Sequence, residues 1–425
     1  MAASQTTSSP LSAPWRGRFF GIWIPQQLSL VGSALGQFAL VWWVTQTTGS
    51  ATVLATAMLV AMLPSVLGGP VVGALVDRWN RQRVMIAADA MVALASAVLA
   101  LLFWTGALRI WHVYVIMCLR GIGGTFHSPA MNASTSLMVP EEQLPRVGGL
   151  NQMMQGAVNI VAPPLGALLL GLLPLHGIMA LDVITAAVAI APLWFVTIPQ
   201  PERAISTAGS PFEVLMADIR EGWRYVTSWK GLLYLAILTM AINFVGAPAM
   251  TLLPILVTQH FGGGATQLAW LSSAWGVGLL AGGLTLSAWG GFRRRIVTVI
   301  VGLFGMGVGI LVVGLAPAHL LVIGVVGLFG ASAMSALCNG SIFAIMQARV
   351  APEMQGRVFA VLGSLCAAMM PIGMAIAGPV ADTWGPAVLY LAAAVGLLVA
   401  AVVALLVPAI MQIERGEAAS AAQSG

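Results

Sequence analysis

Long apolar runs follow one another along almost the whole chain, broken by short polar loops. They predict twelve helices, at about 19–45, 53–76, 84–106, 111–137, 147–173, 179–198, 231–258, 267–289, 296–315, 320–348, 358–381 and 387–410, numbered here as spans 1 to 12. Each is near or above the ~20 residues that cross a bilayer. The loops between them alternate between arginine-bearing and almost arginine-free. With the N-terminus taken as cytoplasmic, the inside segments hold Arg16 and Arg18, then Arg78, Arg81 and Arg83, then Arg146. Arg203, Arg220, Arg224 and Lys230 follow, then Arg293, Arg294 and Arg295, then Arg349 and Arg357, then Arg415. Of the 18 basic residues, only Arg109 falls outside and only Arg120 falls within a span. Positive charge resists translocation, so this alternation predicts twelve spans with both termini cytoplasmic.

The one long hydrophilic stretch between spans is 199–230. Ser210, Pro211 and Glu213 read there as N-cap, first-turn proline and capping-box acid. Phe212, Leu215, Met216, Ile219, Trp223 and Val226 recur at helical spacing, with Glu213, Asp218, Arg220, Glu221 and Arg224 opposite. The pattern predicts an amphipathic helix on the inner membrane surface. It joins two halves that echo each other: Val139–Val147 resembles Val350–Val358, and Pro164-Leu165-Gly166 resembles Pro371-Ile372-Gly373. A parallel duplication of six helices is a common plan for alternating-access transporters. The expected fold is therefore all-α and integral to the membrane, with two pseudo-symmetric six-helix bundles. The expected segments are a tail at 1–18, a bundle at 19–198, the linker at 199–230, a bundle at 231–410 and a tail at 411–425.

Composition sharpens this picture. The chain is 59% hydrophobic and 7% charged, with a mean hydropathy of +0.95; a soluble domain is about 25% charged. The net charge of +5 sits on loops facing anionic lipid and calls for no nucleic acid. Cys118, Cys338 and Cys366 lie in apolar runs and read as packing residues without a disulfide. The Ser/Thr-rich start, Met1 to Pro14, leads into a full span, so that span reads as an anchor rather than a cleaved signal. Enzyme readings fail on inventory. The only lysine, Lys230, lacks the glycines of a phosphate-binding loop, and no His-Glu-x-x-His pair exists for a metal. Gly330-Ala331-Ser332-Ala333 has no histidine after His319 to serve as its base. No cofactor is implied, and energy is expected from an ion or substrate gradient.

The loop after span 2 reads Gly73-Ala74-Leu75-Val76-Asp77-Arg78-Trp79-Asn80-Arg81-Gln82-Arg83. Here the chain resembles the major facilitator superfamily, whose loop signature is Gly-x-Leu-x-Asp-Arg-x-x-Arg-(Arg/Lys). The resemblance implies a gating motif of Gly73, Asp77, Arg78, Arg81 and Arg83. Gly73 is expected to let span 2 approach a neighbour closely. Asp77 is expected to meet the N-terminus of span 11, with Arg81 restraining it in the inside-closed state. The second half keeps Gly283 and the cluster Arg293-Arg294-Arg295 but no acid. Arg120 to Ala130, Ala39 to Trp43, Thr48 to Ala51 and Gly149 to Gln152 resemble the macrolide-efflux and enterobactin-exporter branch. That likeness implies export of small hydrophobic or amphipathic molecules in exchange for protons. Span 5 departs from the drug-antiporter pattern, keeping Pro163, Pro164 and Gly166 as a small-residue kink.

Charges inside a membrane are expensive and become coupling candidates by default. Arg120 stands alone deep in span 4, and His127 returns to nearly the same face seven residues later, ~10 Å along the axis. In the resembled family the matching arginine faces the cavity and is implicated in proton coupling. Asp89, a turn into span 3, is expected to pair with a loop arginine. Asp182, near the outer end of span 6, can meet water or Arg109. The cavity candidates are Gln26, Ser33, Gln37, Phe38 and Trp42 on span 1 and Gln152, Gln155 and Asn159 on span 5, with Asn243 and Asn339. Neutral amides among aromatics suit a permissive cavity; the same residues also serve interhelical hydrogen bonding. The reading is a monomeric exporter in a bacterial cytoplasmic membrane, with a small molecule and protons as partners. The alternatives are a siderophore or metabolite exporter and a non-transporting sensor.

Overall fold

The computed structural model describes residues 15–200 and 211–414. The expected N-cap at Ser210, the tail before Trp15, the end beyond Glu414 and the side chain of Asp77 lie outside the described residues. Spans 1 to 6 are the helices Trp15–Thr48, Ala51–Arg78, Arg81–Trp104, Ile110–Met138, Leu144–Leu172 and Leu175–Phe195. Spans 7 to 12 are Lys230–Thr251, Ala265–Trp289, Arg295–Leu315, Leu321–Arg349, Pro352–Trp384 and Pro386–Leu406. The linker helix is Pro211–Ser228. Eleven of the spans are long and apolar enough to cross a membrane. Span 4 matches them in length, at 29 residues, but Arg120, His127 and its polar lower half dilute its hydropathy. It packs against spans 2 and 3 as the others pack on their neighbours.

Local chemistry sets the ends. Ser50 caps span 2 by accepting from the Val53 amide, and Asn80 caps span 3 by accepting from Arg83. Gly290, at φ 79°, closes span 8 in the left-handed region. Lipid-facing sides are apolar: Leu94, Leu172, Phe195, Val322 and Leu406 are exposed. Exposed Trp104, Trp111, Trp194 and Trp384 stand near helix ends, where indoles favour the interface.

In the first half, span 6 packs on spans 1 and 3, and span 4 on spans 2 and 3. In the second, span 10 packs on spans 8 and 9, and span 12 on span 9. The halves meet through spans 2 and 11 and through spans 5 and 8. One end of the bundle carries the arginine-rich loops, here called the basic end; the other is the far end. The linker helix has one side anchored to the bundle. It packs on the start of span 11, where a methyl on Gly222 would touch the Arg357 carbonyl at 2.9 Å. Arg357 pairs there with Asp218 at 2.7 Å and Glu221 at 2.9 Å.

Candidate functional site

A cavity of two adjoining lobes opens on the first half, and the second half completes one of them. One, about 460 Å³, is lined by Gln26, Ser33, Gln37, Asp89, Arg120, His127 and Gln155. The other, about 330 Å³, lies toward the far end, between Phe38, Met58 and Pro163 of the first half and Met250, Leu268 and Ser272 of the second. Gln37 and Asn159 line both lobes.

The polar wall is built in two layers. In the layer nearer the basic end, His127 Nε2 lies 3.0 Å from Gln26 Oε1 and 3.3 Å from Asp89 Oδ1. Gln26 Nε2 donates to Asp89 Oδ2 at 2.8 Å and reaches the Ala189 carbonyl at 3.5 Å. In the other layer, Arg120 Nη1 lies 2.5 Å from Asp182 Oδ2 and also donates to Ser96 Oγ. Ser96 donates to Asp182 Oδ2 at 2.7 Å, Ser33 donates to Oδ1 at 2.8 Å, and Arg120 Nη2 donates to the Ser33 carbonyl at 3.3 Å.

Each helix contributes to both layers at a spacing of seven: Gln26 and Ser33, Asp89 and Ser96, His127 and Arg120, Ala189 and Asp182. Seven residues are two turns, ~10 Å, and spans 1 and 3 run antiparallel to spans 4 and 6. One spacing repeated on four helices therefore stacks two polar planes. Asp182 is fully buried, a cost that only the close Arg120 guanidinium and two hydroxyl donors offset. That layer pairs its charges, with Asp182 buried behind Arg120 and Ser33. The other has a net charge that depends on whether the His127–Asp89 pair holds a proton, and both residues reach the cavity.

Several sequence expectations are corrected. Arg120 is not alone, and Asp182 meets it rather than Arg109, because it sits two turns inside span 6. Asp89 pairs with His127 and not with a loop arginine; its side chain turns toward span 4. Gln26, Ser33, Gln37, Phe38, Gln155, Asn159 and Pro163 do line the cavity. Gln152 and Pro164 are exposed outside its lining. Trp42 packs instead on the core of the second half. Asn243 and Asn339 donate to the Thr239 and Ser335 carbonyls of their own helices. Span 5 runs unbroken through Pro163 and Pro164, where a methyl on Gly166 would meet Phe38 at 2.7 Å. A methyl on Gly73 would meet nothing within 4 Å, so no close approach occurs there; span 2 makes its tight contact where Gly121 of span 4 abuts the Ala61 carbonyl. In the loop, Arg81 is buried and donates to the Ala133 carbonyl at 2.8 Å, while Arg78 and Arg83 are exposed.

The sequence reading missed three participants. Ser96 looks like any small residue in an apolar run; only its spacing from Asp89 marks it. Asn151, beside the expected Gln152, accepts from Trp23 Nε1 at 2.6 Å. Asp382, at the end of span 11, closes the far end of the bundle. Its carboxylate accepts from the Ala51 amide at 2.6 Å, the Ser50 hydroxyl at 2.8 Å and the Thr52 amide at 3.0 Å, capping span 2. Nearby, a methyl on Gly378 would meet Thr52 Cα at 2.8 Å, and Ser273 of span 8 donates to the Ile160 carbonyl of span 5 at 3.0 Å. Toward the basic end the seams part: Leu67, Val71 and Leu284 are exposed, and Gly283 and Gly363 face open space.

The family described as transmembrane secretion effector matches residues 6–424. Macrolide efflux protein A of Streptococcus pyogenes is 35% identical over 373 residues, covering 87% of this chain and 91% of that protein. The multidrug efflux pump Tap of Mycolicibacterium fortuitum is 29% identical over 403 residues, covering 90% and 94%. Among solved structures, a bacterial homologue of the iron transporter ferroportin in an inward-facing state superposes with a TM-score of 0.71 at 14% identity, over 92% of this chain and 99% of that one. With a family match over nearly the whole length and a relative 35% identical over 87% of it, the chain belongs to the transmembrane secretion effector family of major facilitator superfamily transporters.

Proposed function

We propose that this chain exports hydrophobic or amphipathic drug-like compounds, macrolides among them, from a bacterial cytoplasm in exchange for protons. The basic end faces the cytoplasm in this reading, and both termini lie there. The observation that carries it is the His127–Asp89–Gln26 layer on the cavity wall. With a proton on the pair, the layer is neutral overall. Without it, a carboxylate faces the cavity, and a cationic amphiphile settles against that charge while its apolar body contacts Phe38, Met58 and Met250. A returning proton restores neutrality and weakens that hold. Arg120 and Asp182 keep the neighbouring layer neutral and fix Ser33 and Ser96 in place.

The arrangement described, closed at the far end and parted at the basic end, is the inward-open state in this reading. In the opposite state Asp77 meets the N-terminus of span 11, and Gly73, Arg78, Arg81 and Arg83 form the gate around it. The test is transport into everted vesicles containing the purified chain. Under an imposed pH gradient, a radiolabelled macrolide should accumulate, and collapsing the gradient with a protonophore should release it. Accumulation indifferent to the gradient but dependent on sodium or a counter-substrate would reject proton antiport.

A further inference from the structure

A second cavity lies outside the central one, on the lipid-facing side of spans 3 and 4 at the basic end. It has a volume of about 640 Å³. Its mouth is Arg78 and Arg83; its walls are Trp79, Met91, Ile122 and Phe126. The Trp79 and Phe126 rings stack at 6.1 Å, 5° from parallel, forming a flat apolar flank. Met91 also lines a shallower groove of about 290 Å³ that continues between spans 3 and 4 past Leu94, Val98 and Leu119. The two together make one trough along the helices, apolar along its length, with the arginines at its basic end and His112 at the other.

Charge there is one-sided. Arg78 and Arg83 are exposed, and neither side chain has an ion pair or hydrogen bond among the described residues. Among the described residues, no acid lines either groove. Between the trough and the transport cavity spans 3 and 4 touch closely: a methyl on Gly123 of span 4 would meet the Ala88 carbonyl at 3.2 Å and Val92 at 2.6 Å. Asp89 and His127 open on the other side of that contact.

We propose that this trough binds one anionic phospholipid, its phosphate held by Arg78 and Arg83 and an acyl chain laid along Met91, Ile122 and Leu94. A basic pocket between helices at a membrane surface suits an anionic headgroup, and the apolar length beyond it distinguishes a lipid from a free phosphate. The close contact at Gly123 separates this lipid site from the central cavity at that point.

The test uses the full chain in nanodiscs carrying either phosphatidylglycerol or phosphatidylethanolamine with a diazirine in the acyl chain. After illumination, adducts are mapped by mass spectrometry. The phosphatidylglycerol probe should label the Met91 and Ile122 peptides in preference to the phosphatidylethanolamine probe. Arg78→Gln and Arg83→Gln should each cut that preference by about fivefold. Ala87→Phe, which fills the exposed trough wall and spares both arginines, should remove adducts from both probes. Equal labelling by the two probes, a preference unchanged in the double arginine variant, or displacement of the lipid probe by a macrolide would each overturn the assignment. Monodisperse elution of every variant separates loss of binding from loss of fold.

Discussion

The two halves share a helical plan and differ in what they bury. The interior of the first half holds Arg120, Asp182, Asp89 and His127, joined by Gln26, Ser33 and Ser96. The second half has acids and bases only at the ends of its spans. Its interior is closed by glycines against neighbouring backbone, as where Gly282 meets the Ala333 carbonyl and Gly309 meets the Gly327 carbonyl. Its interior amides Asn243 and Asn339 bond to their own helices. In the proposed mechanism the first half changes protonation, and the second moves against it as a close-packed body.

The sharpest break in that contrast comes from Arg120→Ala. It leaves Asp182 buried beside two hydroxyls without its cation, a loss of about 3–5 kcal/mol when one partner of a buried pair is removed. Thermal unfolding should show that loss, and proton-driven export should vanish. Arg120→Ala with Asp182→Asn should recover stability without recovering coupled transport. Coupled transport at the wild-type rate in the single variant would return the pair to a structural role.

Next in size is the other layer. Asp89→Asn should abolish uphill export while leaving downhill exchange of substrate measurable. His127→Gln should shift the pH profile of export without abolishing substrate binding. An unchanged profile would make His127 a packing residue held by Gln26.

Smaller still are the two ends. Asp382→Asn removes the charged cap on span 2, worth about 1–2 kcal/mol, which is roughly a tenfold shift toward the far-end-open state. A spin-label distance between residues 49 and 262 should lengthen. Asp77→Asn should act with the opposite sign and favour the state described. Identical shifts from both variants would contradict opposed gates. The smallest effects should come from Asn243→Ala and Asn339→Ala, each changing KM for substrate by less than about threefold, since neither amide leaves its own helix. A tenfold loss would show that the second half reads the substrate.

Much of this was legible in the chain. Hydropathy and loop charge placed the spans, because a bilayer enforces length and sign locally. Arg120, His127, Asp89 and Asp182 stood out as costly charges. Their partners did not, since Arg120 meets Asp182 across 62 positions and Gln26 meets Asp89 across 63. Pairing of that kind depends on how helices are rotated in the bundle, and an apolar run constrains rotation weakly. The repeated spacing of seven on spans 1, 3 and 4 was the available signal, and it would have drawn in Ser96. Asp382 was hidden differently. It ends a helix, where an acid reads as surface charge, and its role requires the N-terminus of span 2 to lie beside it.

The assignment of coupling to the first half rests on competition between a proton and the substrate at Asp89 and His127. The direct measurement is proton release when a macrolide is added to the purified chain in weakly buffered detergent, followed with a pH-sensitive dye. Wild type should release protons in proportion to substrate bound, and Asp89→Asn should bind with little release. Equal release from both, or binding by wild type with none, would contradict the assignment.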